Sequence, residues 1–264
     1  MDIGDVVTDA LKYPLSDWTK ILILGIILVI AGISNISRTF IADNTLISVL
    51  GIIGLIVGLL GYGYFFRIIE SSLSGISELP SFDDLVTMFI DGIKVAIVGI
   101  IYAIPAIILI LIFAASIILS LISNPSAVDV GLLIGAGVGI ILAMLYMFVI
   151  TPIIAIAIAN MAYNDSEFGA AFRFSEIFDK IGSIGWGNII IWYIVTLIVY
   201  IVLATIGGII AGLFSLIHPA VTLILMSLIV TPYLQMYIAR SIASVYNSQE
   251  VTYKPRESST VSSK

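Results

Sequence analysis

The sequence predicts an all-α, polytopic membrane protein: six transmembrane helices plus three amphipathic helices on one side. Three observations predict it. Of the 264 residues, 60% are hydrophobic and only 11% charged, against about 25% charged in a soluble domain. The mean hydropathy is +1.19. The apolar runs are continuous rather than alternating, which selects helices over barrel strands. This composition excludes a soluble enzyme and a disordered chain. Lys and Arg number 11 against 17 Asp and Glu, for a net charge of −6, so no basic stripe is available to nucleic acid. With no Cys and a single His, the chain has neither disulfides nor a Cys- or His-cluster metal site. No metal and no cofactor is expected.

A spanning helix needs about 20 mostly apolar residues. Six segments qualify, at 21–36, 46–69, 95–122, 130–159, 186–217 and 219–239. The acidic amino terminus, with Asp2 and Asp5, is not followed by an early apolar run, so no cleavable signal peptide is expected. Lys12, Lys20, Arg67, Lys94, Arg173, Lys180, Arg240, Lys254, Arg256 and Lys264 fall on one side of the predicted topology, and only Arg38 on the other. The positive-inside rule then expects a multi-pass protein of the cell membrane with both termini cytoplasmic. Trp18 and Trp186 precede spans one and five, where interfacial Trp belongs.

Three amphipathic segments lie on the basic side. Their stripes are Ile3, Val6, Val7, Ala10, Leu11, Leu15 and Trp18; then Phe82, Leu85, Val86, Phe89, Ile90 and Ile93; then Phe174, Ile177, Phe178 and Ile181. Each follows the spacing of a surface helix. In the second, Pro80 and then Ser81 with Asp84 supply an N-terminal cap. Each segment precedes two spans, so the chain reads as one membrane domain over 1–246 with units at about 1–75, 76–162 and 163–246. Thr151-Pro152 recurs 80 residues on as Thr231-Pro232. The units are parallel, which implies a pseudo-threefold axis along the membrane normal. The polar tail, 247–264, is expected to be disordered.

Gly61-Tyr62 through Arg67, Leu79-Pro80-Ser81-Phe82-Asp83-Asp84, Phe89-Ile90-Asp91-Gly92-Ile93-Lys94 and Tyr102-Ala103-Ile104-Pro105 carry a resemblance. The pattern resembles the archaeal membrane family filed as domain of unknown function 4013, over about residues 10–245. The resemblance implies a polytopic membrane protein and no particular activity. More loosely, the layout is similar to the membrane domain of some glycerophosphodiester phosphodiesterases, whose soluble catalytic domain is not expected here.

No catalytic constellation emerges, and none is expected of the inner acids Asp83, Asp84 and Asp91, which read as solvated. Small-residue ladders are expected to pack helices: Gly131, Gly135, Gly139 and Ala143; Gly54 and Gly58; Ala204, Gly208 and Gly212. A homo-oligomer through such faces is the lesser reading. Pro105, Pro152 and Pro232 sit inside spans as candidate hinges. The candidate ligand site is a ring. Aligning the Thr-Pro motifs sets Asn160 where Arg240 stands, with Arg67 as the third member. Tyr64 and Tyr237, three residues before the two Arg, would steady them. Two guanidiniums would hold an anionic headgroup or solute. The simpler account of the same residues is Arg snorkelling to the interface. Membrane lipids are the expected partners. The functional expectation is a non-enzymatic membrane domain organising lipid or partner proteins, and the alternative is a small transporter or exporter of an anionic or amphipathic solute.

Overall fold

A computed structural model describes residues 2–123 and 130–248, and every regular element in them is helical. Asp129 and the tail beyond Ser248 lie outside the described residues, as do the surroundings of Gly131 and Gly135. The helices are α1 (Ile3–Lys12), α2 (Trp18–Ala31), α3 (Ile33–Ser37), α4 (Asn44–Leu73), α5 (Leu85–Ser123), α6 (Val130–Tyr163), α7 (Phe174–Ile184), α8 (Trp186–Leu213), α9 (Pro219–Leu225) and α10 (Thr231–Asn247). Five helices or helix runs are long and apolar enough to cross a membrane. A bent pair, Ile3–Ser16 and Trp18–Ala31, turns by 84° and raises the number to as many as six. The chain is an integral membrane protein by this measure.

Short polar side chains start the helices. Asp2, Asp17, Asp43 and Asp84 each accept a hydrogen bond from a backbone N–H in the first turn of α1, α2, α4 and α5, satisfying donors that the helix itself leaves open. His218 does the same for α9 through Nδ1. The 84° turn falls at Asp17, whose extended backbone separates the two helices.

The second amphipathic segment departs from expectation. It is not a separate helix but the first turns of α5, which runs unbroken for 39 residues. No Pro or turn separates Ile93 from Val95, so nothing stops the helix there. Its cap is Asp84 rather than Ser81.

The second spans of the three predicted units, α4, α6 and α10, pack on one another. Around them, α2 packs on α4 and α10, α5 on α4 and α6, and α8 on α10 and α6. The core sits toward the end that carries most of the Lys and Arg, called here the basic end. Tyr64, Phe66, Ile68 and Ile69 of α4, Ile156–Met161 of α6 and Met236–Tyr246 of α10 supply much of it. Within the most apolar window of each span only 17–28% of residues are buried, so most of the apolar surface faces outward. At the opposite end, the Phe40 ring stacks on His218 with centroids 4.4 Å apart, joining the α3–α4 and α8–α9 connections.

Close helix crossings depend on glycine. A Cβ on Gly63 would lie 1.7 Å from the Met88 carbonyl oxygen, and one on Gly92 1.8 Å from that of Leu59. The α4–α5 contact is thus backbone on backbone. Among the predicted ladders, Gly54 meets Ala31 and Gly139 meets the Phe113 ring, whereas Gly208 and Gly212 meet nothing within 4 Å. Pro105 and Pro152 lie within continuous helices. Pro232 follows a π-helical turn, Met226–Val230. That turn accommodates the hydrogen bond that Pro232 cannot donate.

Candidate functional site

The predicted ring residues all stand at the basic end, and each engages a segment of the chain itself. Arg67, near the end of α4, donates from Nη1 to the carbonyls of Ser81 (3.1 Å) and Asp83 and from Nη2 to that of Asp84 (3.1 Å). Its guanidinium thereby holds the extended approach to α5. Asp84 has a left-handed backbone there, φ 50°, a conformation Asp tolerates better than most residues. Hydrogen bonds from the Thr87 hydroxyl and N–H lower the pKa of the Asp84 carboxyl below its ordinary value.

Asn160, at the end of α6, is 3% exposed. Its Nδ2 donates to the Ala170 carbonyl (2.9 Å) and to Glu176 Oε2 of α7 (3.2 Å), and its Oδ1 accepts from Tyr246 Oη of α10 (2.8 Å). Every polar capacity of this amide except one oxygen lone pair is used.

Arg240 of α10 donates from Nε to Asp9 Oδ2 of α1 (2.7 Å) and from Nη1 to the Ile76 carbonyl (3.2 Å). The guanidinium carbon also sits 4.8 Å from the centroid of the Tyr13 ring, a cation–π contact. The Tyr13 hydroxyl donates to the Glu78 carbonyl.

The two predicted Tyr partners do something other than steady their Arg. Tyr64 Oη donates to the Pro80 carbonyl (3.0 Å), and its ring stacks on Phe82 at 4.0 Å. It therefore grips the same strap as Arg67. Tyr237 is fully buried, with its hydroxyl beside Thr196 of α8. Helical spacing reports neighbours on one helix only, so it could not show that Tyr13 is the ring beneath Arg240. Arg67 and Glu70 form no ion pair among the described residues, because the carbonyls of 81–84 take the guanidinium instead.

One inner acid is not solvated. Asp91 is 7% exposed. It pairs with Lys94 at 3.0 Å, and Ser166 Oγ donates to the same carboxylate oxygen at 2.6 Å. Lys94 also donates to the Ser166 carbonyl and hydroxyl. The burial of Asp91 has a physical cause: the turn after α6 folds over this side of α5. Asp165 and Ser166 take left-handed backbones there, φ 51° and 60°, and the Asp91–Lys94 pair fixes the turn. The Ser166 hydroxyl thus bridges the two charged groups, donating to the carboxylate and accepting from the ammonium. The only sequence signal for this latch was the i, i+3 acid–base spacing on α5.

No three His, Asp or Glu side chains converge as metal ligands among the described residues. At the basic end, Arg67, Asn160 and Arg240 thus fasten connecting segments to the central helices. No curated protein and no solved structure matches the chain. Residues 46–212 match the model of the family described as "Protein of unknown function (DUF4013)", and because that stretch is more than half of the chain, the chain belongs to that family.

Proposed function

We propose that this is a non-enzymatic membrane domain that holds bilayer lipid, seated in the cell membrane with both termini cytoplasmic. One observation carries the reading. A cleft of about 190 Å³ opens between α2, α8 and the π-helical joint of α9 and α10, lined by Trp18, Ile21, Leu203, Ile206, Ile229 and Tyr233 among others. The Tyr233 hydroxyl is turned to the Leu11 carbonyl at 2.7 Å, which leaves its ring as cleft wall. The cleft is smaller than the roughly 300–1,000 Å³ that enclose drug-sized ligands. A length of acyl chain matches its size and its apolar lining. The transporter reading is weaker because Arg67, Asn160 and Arg240 are engaged with the chain itself. The three-unit repeat stands as part of the proposal, supported by the shared central position of α4, α6 and α10.

Leu203→Trp and Ile206→Trp fill the cleft with bulk. Purified in mild detergent, each should retain less phospholipid by native mass spectrometry than the parent protein, at an unchanged melting temperature. Equal lipid retention refutes the cleft as the lipid site. Orientation is read separately: in intact cells a Cys at Ser37 should label from outside and one at Ser77 should not. The reverse pattern refutes cytoplasmic termini.

A further inference from the structure

The α7 stripe predicted as one face is divided in two. At about 100° per residue, Ile177, Ile181 and Ile184 fall together, and all are buried against the bundle. Phe174 and Phe178 fall on the adjoining arc, 51% and 43% exposed. Ser175, Glu176, Asp179 and Ser183 occupy the far arc and are exposed. The helix thus has three sides: one to protein, one aromatic and one polar.

The aromatic side is not isolated. Phe178 stacks on Trp186 with centroids 6.1 Å apart, and Phe174 on Phe178 at 6.5 Å. Phe174 meets the Tyr102 ring edge-on at 6.1 Å, and Tyr102 stacks on Phe172 at 5.8 Å. A ribbon of rings therefore runs from α5 across α7 to the first residue of α8. Trp186, 49% exposed, opens a span, which sets it at the boundary of the bilayer, where Trp and Tyr concentrate. Rings in contact with it stand at the same level. The nearby cations are already engaged: Arg173 pairs with Glu167 and Glu176, and Lys180 lies over the Tyr246 ring.

We propose that α7 lies in the plane of the leaflet at the basic end, with Phe174, Phe178 and Trp186 immersed at the headgroup–acyl boundary and the Asp179–Ser183 side in water. The anchor is apolar rather than electrostatic, so it takes zwitterionic lipid as well as anionic lipid. This inference does not depend on the acyl-chain cleft, which lies on α2, α8 and α10.

The chain contains no Cys, so a single introduced Cys carries a nitroxide label at one place only. Phe178→Cys, Phe174→Cys and Ser183→Cys are labelled in the full-length protein in phosphatidylcholine nanodiscs. Power saturation then reads collision with oxygen, which enters the bilayer, and with a nickel chelate, which does not. The ratio of oxygen to nickel collisions should be several-fold higher at 178 and 174 than at 183. It should hold when part of the lipid is replaced by phosphatidylglycerol. Equal ratios at 178 and 183 overturn the proposal, placing α7 in water beneath the bundle. Exclusion of both agents at 178 also overturns it, because protein and not lipid then covers the face. Phe174→Cys reads the same face if Phe178→Cys does not fold.

Discussion

Asn160→Leu separates a fastening role from a ligand role at the basic end. Leu has the same branching and the same number of side-chain heavy atoms as Asn, so the change removes hydrogen bonds without opening a cavity. It takes the Asn160 acceptor away from Tyr246 Oη, on a residue 3% exposed. The Ala170 carbonyl keeps only the weaker bond from Arg173 N at 3.3 Å. A buried hydroxyl stripped of its partner costs about 1–3 kcal/mol, and the lost amide bonds to Ala170 and Glu176 add roughly 1 kcal/mol. The expected loss is therefore about 2–4 kcal/mol. Removing both partners of a hydrogen bond is far milder than removing one, so the double variant Asn160→Leu with Tyr246→Phe should cost less than the two single changes added together. A coupling of about 1 kcal/mol or more is expected for groups in direct contact. Detergent unfolding titrations followed by tryptophan fluorescence measure all four corners of the cycle. Strict additivity would refute the fastening role. So would an Asn160→Leu protein of unchanged stability that had lost co-purified anionic lipid, since that result makes Asn160 a ligand residue.

Two glycines on α5 should respond to alanine with opposite signs. Gly92→Ala drives a Cβ onto the Leu59 carbonyl and should lose about 1–3 kcal/mol through overpacking, whereas Gly99, with nothing within 4 Å, should gain up to about 1 kcal/mol of helix propensity; equal melting shifts would remove the backbone crossing as a determinant. The Asp84 cap should be acid-labile. Because hydrogen bonding lowers its folded-state pKa, the unfolded chain takes up the proton first, so the stabilisation is complete above the unfolded carboxylate pKa and is lost as pH falls through the folded value. Hydrogen exchange in the first turn of α5 should rise in that acid window in the parent and at neutral pH in Asp84→Ala; exchange that ignores both changes would show that the cap does not hold this turn.

Five spans were legible because membrane burial writes a long, unbroken apolar run into the sequence. Their neighbours were not. Gly63 and Gly92 meet backbone carbonyls, and a carbonyl leaves no residue-type signal to pair with. Asp91 looked solvated because it lies on the polar side of its own helix, and only the fold brings Ser166 over it. The second amphipathic segment had the right periodicity, but periodicity does not say whether a helix stops. Gly92-Ile93-Lys94 allowed α5 to continue. The α7 stripe was read correctly as apolar, yet a stripe does not show that Ile177 meets protein while Phe178 remains open. At the basic end, Arg67, Asn160 and Arg240 were found by position, and their partners, Ser81, Ala170 and Asp9, were not, because each lies on a segment that only tertiary structure brings near.

The partners follow an order that their chemistry does not require. Arg67 reaches from α4 to the strap that leads into α5. Asn160 reaches from α6 to the turn before α7 and to α7 itself. Arg240 reaches from α10 back to α1. Each closes a second span onto the segment that introduces the next pair, and the last closes onto the first. The chemistry differs at each position: guanidinium to carbonyls, amide to carbonyl and carboxylate, guanidinium to carboxylate. What is common is place, not residue type, and this is what a repeat would leave after its sequences had drifted apart. The same order accounts for where the core lies. Contacts that fasten consecutive segments gather at one end, so that end is buried and the other halves of the spans present their apolar sides outward.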